Sequence, residues 1–475
     1  MDLDVPRLAM TGALKLVGRT VMSKIIGFAA NVVVARILLP RQFGILALGF
    51  TIYTFISFLG SIGLGANLVR RAPEPTAREL SIVMGVQLAW AGAGLVVLCS
   101  LIPVLGQTML VAAIMLAALP FNALRVPNGI VLERQLSYGV PAAVDIVSSF
   151  VQSAASVVLV VLGAGVFGVA ISAPLGALVG TVLMWRWGPL GPVRPLVSLS
   201  GSWAMISEGT WFAMADFISL IRDQGLNVTV QLAGGLASLG AWAVAGRILI
   251  IPGFVIGTLW QVSFPAMSRL RDQGQDVNRA FARSVGLTAL GLGLPLAMVG
   301  GPATLVVQVL FGSHWGGVAS ILPGVCVGYL INAPISVGAA GRLYASGQAR
   351  TVAASVAAHS VVGLAVTAFA FPSLHLAAIG LALMMGSVVD PVVFLRALDG
   401  PVLPVLRAQA APTVAAVAAG VAGWLVSRVL PSNLLSLVAA EASVTACYLC
   451  VLGLIGRHSL ADGILVARIQ LRRTS

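Results

Sequence analysis

Seven ionisable residues, Lys24, Asp216, Arg222, Asp223, Arg247, Asp390 and Glu441, fall inside stretches otherwise apolar enough to cross a bilayer. A charge held in hydrocarbon is costly, so such groups face a wet cavity, pair with one another, or line the path of an ion or substrate. Asp216 and Asp223 are seven residues apart and project from one face of a helix. The blander reading is that Arg222 neutralises one of the two and that Lys24 snorkels to the membrane surface. Two further cations, Arg36 and Arg41, sit in NVVVARILLPRQFGILAL, residues 31–48. They are either interface anchors or contacts at the outer mouth for an anionic substrate, which the planar guanidinium suits because it can donate two hydrogen bonds at once.

Other chemistry finds little support. His314, His359 and His375 have no ligand cluster around them, so no metal site is expected, and Cys99, Cys326, Cys447 and Cys450 all lie in apolar runs as small packing residues. There is no phosphate-binding Walker loop, no paired-cysteine motif and no nucleophile elbow. An enzyme is therefore not expected, and neither is a resident cofactor.

The elements that must position these residues follow from composition. The 475 residues are 59% hydrophobic and 9% charged, with mean hydropathy +1.01. No Asp, Glu, Lys or Arg occurs between Glu79 and Arg125, between Arg283 and Arg342, or between Arg350 and Asp390. Each interval accommodates about two helices of ~20 residues across ~30 Å of hydrocarbon, and continuous apolar runs exclude an alternating-strand barrel. The chain reads as an all-α polytopic membrane protein of about fourteen transmembrane helices, at 17–39, 43–68, 80–102, 106–126, 141–162, 165–186, 205–233, 238–265, 285–311, 317–338, 352–371, 375–395, 409–428 and 434–456. Arginines gather at alternate turns, at Arg70, Arg71 and Arg78, at Arg125 and Arg134, at Arg186 and Arg194, and at Arg342 and Arg350. By the positive-inside rule both termini are cytoplasmic. The net charge of +13 thus belongs to short loops beside spans rather than to a nucleic-acid surface. The N-terminus lacks the short apolar core and small-residue cleavage site of a removable signal and is expected to be retained.

An offset of 196 residues aligns NVVVARILLPRQFGILAL with NVTVQLAGGLASLGAWAV, residues 227–244, without a gap. Leu232 and Ala237 stand where the first copy has Arg36 and Arg41. Six helices separate the copies, so both run the same way through the membrane. The expected organisation is two six-helix lobes in a parallel repeat, residues 1–195 and 196–400, with a cavity between them, followed by two extra helices and a tail at 401–475.

Several blocks then resemble one family in order. SKIIGFAANVVVARILLPRQFGILAL with GLGANLVRR, PNGIVLERQLSYGVPAAVDIV from Pro127, LGAWAVAGRILIIPGFVIGTLWQVSFPAMSRL from Leu239, and VLFGSHWGGVASIL from Val309 are similar to Wzx-type polysaccharide flippases of the multidrug/oligosaccharidyl-lipid/polysaccharide exporter superfamily. The resemblance implies a two-lobed transporter of the bacterial inner membrane that passes a polyprenyl-diphosphate-linked oligosaccharide to the outer leaflet by alternating access, for exopolysaccharide, capsule or lipopolysaccharide synthesis. It implies Lys24 and Arg247 as cations for the diphosphate, since they match positions where related peptidoglycan-precursor flippases carry cavity cations. Membrane lipids, a polysaccharide polymerase and export machinery are the implied partners. Where the precursor flippases carry Arg-Asp this chain has Ala30 and Asn31, and it lacks a counterpart of their second-helix arginine, which argues against lipid II as cargo. Where polysaccharide flippases often carry an Asp late in helix seven, this chain has Asn227, Val228 and Thr229. Asp216 and Asp223 are then the candidates for H+ or Na+ coupling.

A multidrug exporter of the same fold is the first rival. It needs unpaired acidic groups for lipophilic cations, and the cations of this chain favour an anionic cargo instead. A polymerase or ligase would need a long outer loop bearing arginines or histidines, and the outer turns are short. A structural scaffold would need neither Lys24 nor Arg247.

Overall fold

The computed structural model describes residues 22, 24–61, 64–70, 73–250, 252–259, 267, 273, 276–398 and 400–456, without the side chains of 66, 67, 70, 199–216, 218 and 219. The described residues are almost wholly helical. By chain contacts they form two compact units, Met1–Val228 and Thr229–Ser475.

In unit 1, α1 (24–37) is followed by α2 (Pro40–Ser61), α3 (Leu64–Arg70), α4 (Ala77–Leu105), α5 (Gln107–Leu116), α6 (Ala118–Arg134), α7 (Gly139–Leu159) and α8 (Gly165–Trp187). Local chemistry sets several of these boundaries. Thr76 Oγ1 accepts the Glu79 amide at 3.3 Å while Glu79 Oε2 accepts the Thr76 amide at 2.7 Å, a capping box that starts α4. A single π-type turn, Val160–Ala164, joins α7 to α8, and the two helices pack along each other as a hairpin. The core of this unit joins Ala91 and Leu98 of α4 to Met109, Ala113 and Leu116 of α5, with Ile52 and Ile56 of α2 packed against them.

The long helix α9 (Leu199–Ile248) bridges the unit boundary in sequence. The expected gap between residues 233 and 238 is found as a break within it at Gly235, whose φ of 72° and ψ of −174° only glycine adopts cheaply. Beyond it lie α10 (252–259), α11 (Val277–Gly300), α12 (Ala303–Phe311), a 3-10 segment (Ser313–Ser320), α13 (Leu322–Ala345), α14 (Ala349–Leu374), α15 (Ala377–Ala397), α16 (Val402–Val429) and α17 (Leu434–Ile455). The helix expected at 285–311 is divided between α11 and α12 at Gly301 and Pro302: Pro302 has no amide to continue the ladder, and its own backbone, at φ −81° and ψ 35°, leaves the helical region. Trp315 in the 3-10 segment is buried, 1% exposed.

Unit 2 is built around Phe281 and Val285 of α11, Ile335, Ala339 and Leu343 of α13, Phe394 of α15 and Val405 of α16. α13 and α15 cross at Gly324 and Gly380, where a Cβ on Gly324 would stand 2.5 Å from the Gly380 carbonyl carbon. That contact brings the two backbones close and aligns the polar residues further along both helices.

Eleven segments among the described residues are long and apolar enough to cross a membrane. Large apolar side chains point outward along them: Leu162, Phe369 and Leu435 are 76%, 86% and 79% exposed. Such a surface is stable against lipid and not against water. The protein is an all-α polytopic membrane protein.

Candidate functional site

Unit 1 contains an open cleft of about 550 Å³ whose wall is drawn from α3, α6, α7 and α8. Its polar lining is Asn122, Arg125, Glu133 and Asp145. Asn122 Nδ2 donates to Tyr53 Oη at 2.9 Å, and Arg125 Nη1 stands 3.5 Å from Asp145 Oδ1. These last two side chains are 28% and 37% exposed, so the pair is loose and wetted, with hydrogen-bonding capacity left for a guest. Arg134 supports the wall, donating from Nη1 to the carbonyls of Leu68 at 2.8 Å and Val69 at 3.3 Å near the C-terminal end of α3. The arrangement can hydrogen-bond a hydroxyl-rich polar group beside an apolar surface. Sequence reading assigned Arg125 to the orientation-setting loop charges. Its helical position on α6, opposite Asp145 on α7, emerges only when the helices pack.

The residues singled out from sequence are distributed over both units. Lys24 lies on α1 and is partly buried, and Arg247 lies near the end of α9 with an exposed side chain. The first belongs to unit 1 and the second to unit 2. Arg36 near the end of α1 and Arg41 in the first turn of α2 are both exposed. Arg222 Nε bonds Asp223 Oδ1 at 2.8 Å, with side chains 41% and 58% exposed. These two residues are adjacent in sequence and form an exposed ion pair. The Asp216 side chain lies outside the described residues.

A second polar constellation, in unit 2, is one that sequence reading did not assemble. Asp390 on α15 is 7% exposed and lies among α13, α14 and α15. Its Oδ1 accepts the Ser355 hydroxyl at 2.6 Å, and its Oδ2 accepts the Asn332 amide at 2.8 Å and faces His359 Nδ1 at 2.7 Å. Ser336 Oγ in turn donates to Asn332 Oδ1. Sequence reading flagged Asp390 and set His359 aside for want of ligands. The available signal was helical spacing: Asn332 with Ser336 and Ser355 with His359 are both i, i+4 pairs, and each pair lies on one face of its helix. Pro334 adds another indication. Without an amide it cannot bond the Leu330 carbonyl four residues back, and Gln409 Nε2 from α16 satisfies that carbonyl at 2.8 Å. Among the described residues, the buried Oε2 of Glu441 on α17 has no hydrogen-bond partner. Among the described residues no group of His, Cys, Asp and Glu has the geometry to hold a metal ion.

Comparison with known proteins agrees with this architecture. The succinoglycan biosynthesis transport protein ExoT of Rhizobium meliloti (strain 1021) is 25% identical over 318 residues, covering 63% of this chain. The match spans 62% of that relative's length. Among solved structures, the lipid II flippase MurJ in an inward closed conformation superposes with a TM-score of 0.72 at 13% identity, over 93% of this chain and 98% of that one. An inward-facing multidrug resistance MATE family transporter of the MOP superfamily superposes with a TM-score of 0.56 at 16% identity, over 83% and 98% of the two chains. At these identities the superpositions establish the fold. Residues 33–320 match the family described as polysaccharide biosynthesis protein. With more than half of its length matched, the chain belongs to that family.

Proposed function

We propose that this protein is a flippase that moves a polyprenyl-diphosphate-linked oligosaccharide repeat unit from the cytoplasmic to the outer leaflet of the bacterial inner membrane, by alternating access, for cell-surface polysaccharide synthesis. The family match over residues 33–320 carries this reading. The polar cleft of unit 1 supports it, because a sugar-diphosphate headgroup needs a wet, hydrogen-bonding lining while its lipid tail remains in the bilayer. Lys24 and Arg247 are the diphosphate cations in this reading, and Arg36 and Arg41 are outer-mouth or interface cations. The protein is a transporter rather than an enzyme, with both termini in the cytoplasm and a polysaccharide polymerase and export machinery as partners.

A lipid II cargo is the second reading, favoured by the 0.72 TM-score to MurJ and opposed by Ala30 and Asn31. A drug exporter is the third, supported only by fold. One experiment separates them: polymer output and the leaflet location of the lipid-linked repeat unit, in cells lacking the chain and in cells complemented with wild type, Lys24→Ala or Arg247→Ala at equal expression. The flippase reading expects the unit to accumulate on the cytoplasmic leaflet in the deletion and in both variants. Unchanged polymer and leaflet distribution in the deletion refutes it.

A further inference from the structure

Asp223 pairs with Arg222 and the Asp216 side chain lies outside the described residues, while unit 2 contains a further, buried carboxylate with a titratable partner, Asp390 beside His359. We propose that the Asp390–His359 pair is a proton-carrying site which takes up and releases one proton during transport. The role in transport rests on the flippase reading above; the proton site itself does not.

The geometry leads there in three steps. Asp390 is 7% exposed in a membrane-spanning helix, and all three of its described contacts, Ser355, Asn332 and His359, are side chains from neighbouring helices. A hydroxyl and an amide are donors without charge. His359 is therefore the one partner able to bring a proton that neutralises the carboxylate.

The second step is protonation bookkeeping. With Asp390 ionised, His359 must present Nδ1–H to Oδ2, and its Nε2 is then either bare or protonated. A bare Nε2 leaves a net charge of −1 in a dry setting. A protonated Nε2, or equally a proton on the carboxyl facing a bare Nδ1, leaves the pair neutral. Burial favours the neutral, loaded form, and a rearrangement that wets the pair or separates its members favours release. The proton comes from water and returns to water, so no other reactant is required.

The third step is access and isolation. The His359 side chain is 18% exposed against 10% for Asp390, so the imidazole is the more accessible member and the natural entry point. The other charged residues on the surrounding helices are Arg342 on α13, Arg350 on α14, Arg396 on α15, Arg279 and Arg283 on α11, and Arg407 and Arg428 on α16. Arg342, Arg350, Arg396 and Arg428 lie in the terminal turns of their helices, and none of the seven bonds to Asp390 among the described residues. The tyrosines and the cysteine of α13, Tyr329, Tyr344 and Cys326, make no described bond to it either. Among the described residues, no fixed cation therefore bonds the carboxylate to hold it ionised.

The test uses the full chain in lipid nanodiscs, with 15N-histidine labelling. The sequence has four histidines, so assignment by His359→Gln is direct. The expected result is that the His359 ring nitrogens report the gain or loss of one proton across the pH series, and that Asp390→Asn moves the midpoint of that change. Should Asp390→Asn fail to fold, Ser355→Ala, which removes one donor from the carboxylate, must move the same midpoint. A single protonation state for His359 across the range, or a midpoint indifferent to the Asp390 and Ser355 changes, overturns the site.

The transport arm uses proteoliposomes and a fluorescent short-chain polyprenyl-diphosphate disaccharide. A transmembrane pH gradient should shift the equilibrium leaflet ratio by up to about tenfold per pH unit for one coupled proton. His359→Gln and Asp390→Asn should abolish the shift. Wild-type transport that ignores the gradient overturns the coupling while leaving the flippase reading intact. Wild type that moves no disaccharide counts against the flippase reading, and the histidine titration then decides the proton site alone.

Discussion

Replacing Ser355 by Ala and Asp390 by Ala should have sharply different effects on stability, although the two side chains share a single 2.6 Å hydrogen bond. Ser355→Ala removes one donor, and Asp390 still accepts from Asn332 at 2.8 Å and contacts His359 at 2.7 Å. Side-chain hydrogen bonds in membrane proteins average about 0.6 kcal/mol and reach about 1.7, and bonds to charged groups run to roughly 1.5–3. A loss of about 1–2 kcal/mol follows. Asp390→Ala instead strands three donors at once. Ser355 can turn to the carbonyl four residues back in its own helix, as Ser360 and Thr367 do in α14 at 2.7 and 2.8 Å. Asn332 keeps Ser336 only as a donor to its Oδ1, so its Nδ2–H is left without the acceptor it had. His359 has no comparable recourse, so the net loss should resemble breaking a buried charge pair, about 3–5 kcal/mol. The assay is equilibrium unfolding of the purified protein in mixed micelles, read by thiol-dye labelling of Cys326, which is 3% exposed, in a background with Cys99, Cys447 and Cys450 replaced by Ala. Asp390→Ala no less stable than Ser355→Ala, within about 0.5 kcal/mol, would refute the view that this network is a fully satisfied buried unit.

Further outcomes are expected elsewhere. Gly380→Leu should destabilise unit 2 by at least about 1–3 kcal/mol, because even its Cβ would stand 2.6 Å from the Ile321 carbonyl oxygen, whereas Gly27→Ala, with nothing within 4 Å, should be tolerated; thermal aggregation followed by size exclusion distinguishes the two. Thr76→Ala removes the acceptor for the Glu79 amide and should cost about 1 kcal/mol in the same measurement. Asp223→Asn should cost less than about 1 kcal/mol, since its partner Arg222 is exposed and adjacent in sequence, and it should leave the pH response of transport unchanged if Asp390 is the coupled carboxylate. Arg125→Gln should leave the protein folded by size exclusion and reduce polymer output, because a loose, half-wetted pair contributes little to stability while its guanidinium lines the cleft.

The fold was legible in the sequence to the extent that bilayer physics is. Charge-free intervals such as residues 80–124 can only be buried in lipid as helices, and α4 through α6 occupy that interval. Residue-level breaks were legible where glycine or proline forces them, as at Gly235 inside α9, and less so where such a residue was read as part of a continuous helix, as at Pro302. The polar sites were harder for a different reason. A helix crosses the bilayer whichever way its few polar residues point, so hydropathy says nothing about which helices face each other. Asn332, Ser355, His359 and Asp390 lie on three helices and meet only through packing such as the Gly324–Gly380 contact. Arg125 and Asp145 show the same limit on α6 and α7.

The two units also treat charge differently, in keeping with the offset comparison in which Arg36 and Arg41 become Leu232 and Ala237. Leu232 is 81% exposed, so at that position in α9 an apolar side chain stands where its counterpart on α1 carries an exposed arginine. Cations that meet a diphosphate must be reachable by it, whereas a group that loads and unloads a proton works best where burial makes its charge costly. Arg36, Arg41 and the wetted Arg125–Asp145 pair of unit 1 meet the first requirement, and the enclosed Asp390–His359 pair of unit 2 meets the second. A transporter that both recognises a polar headgroup and draws on a proton gradient requires these opposite environments. Keeping the reachable cations apart from the enclosed pair lets each be dielectrically suited to its own task.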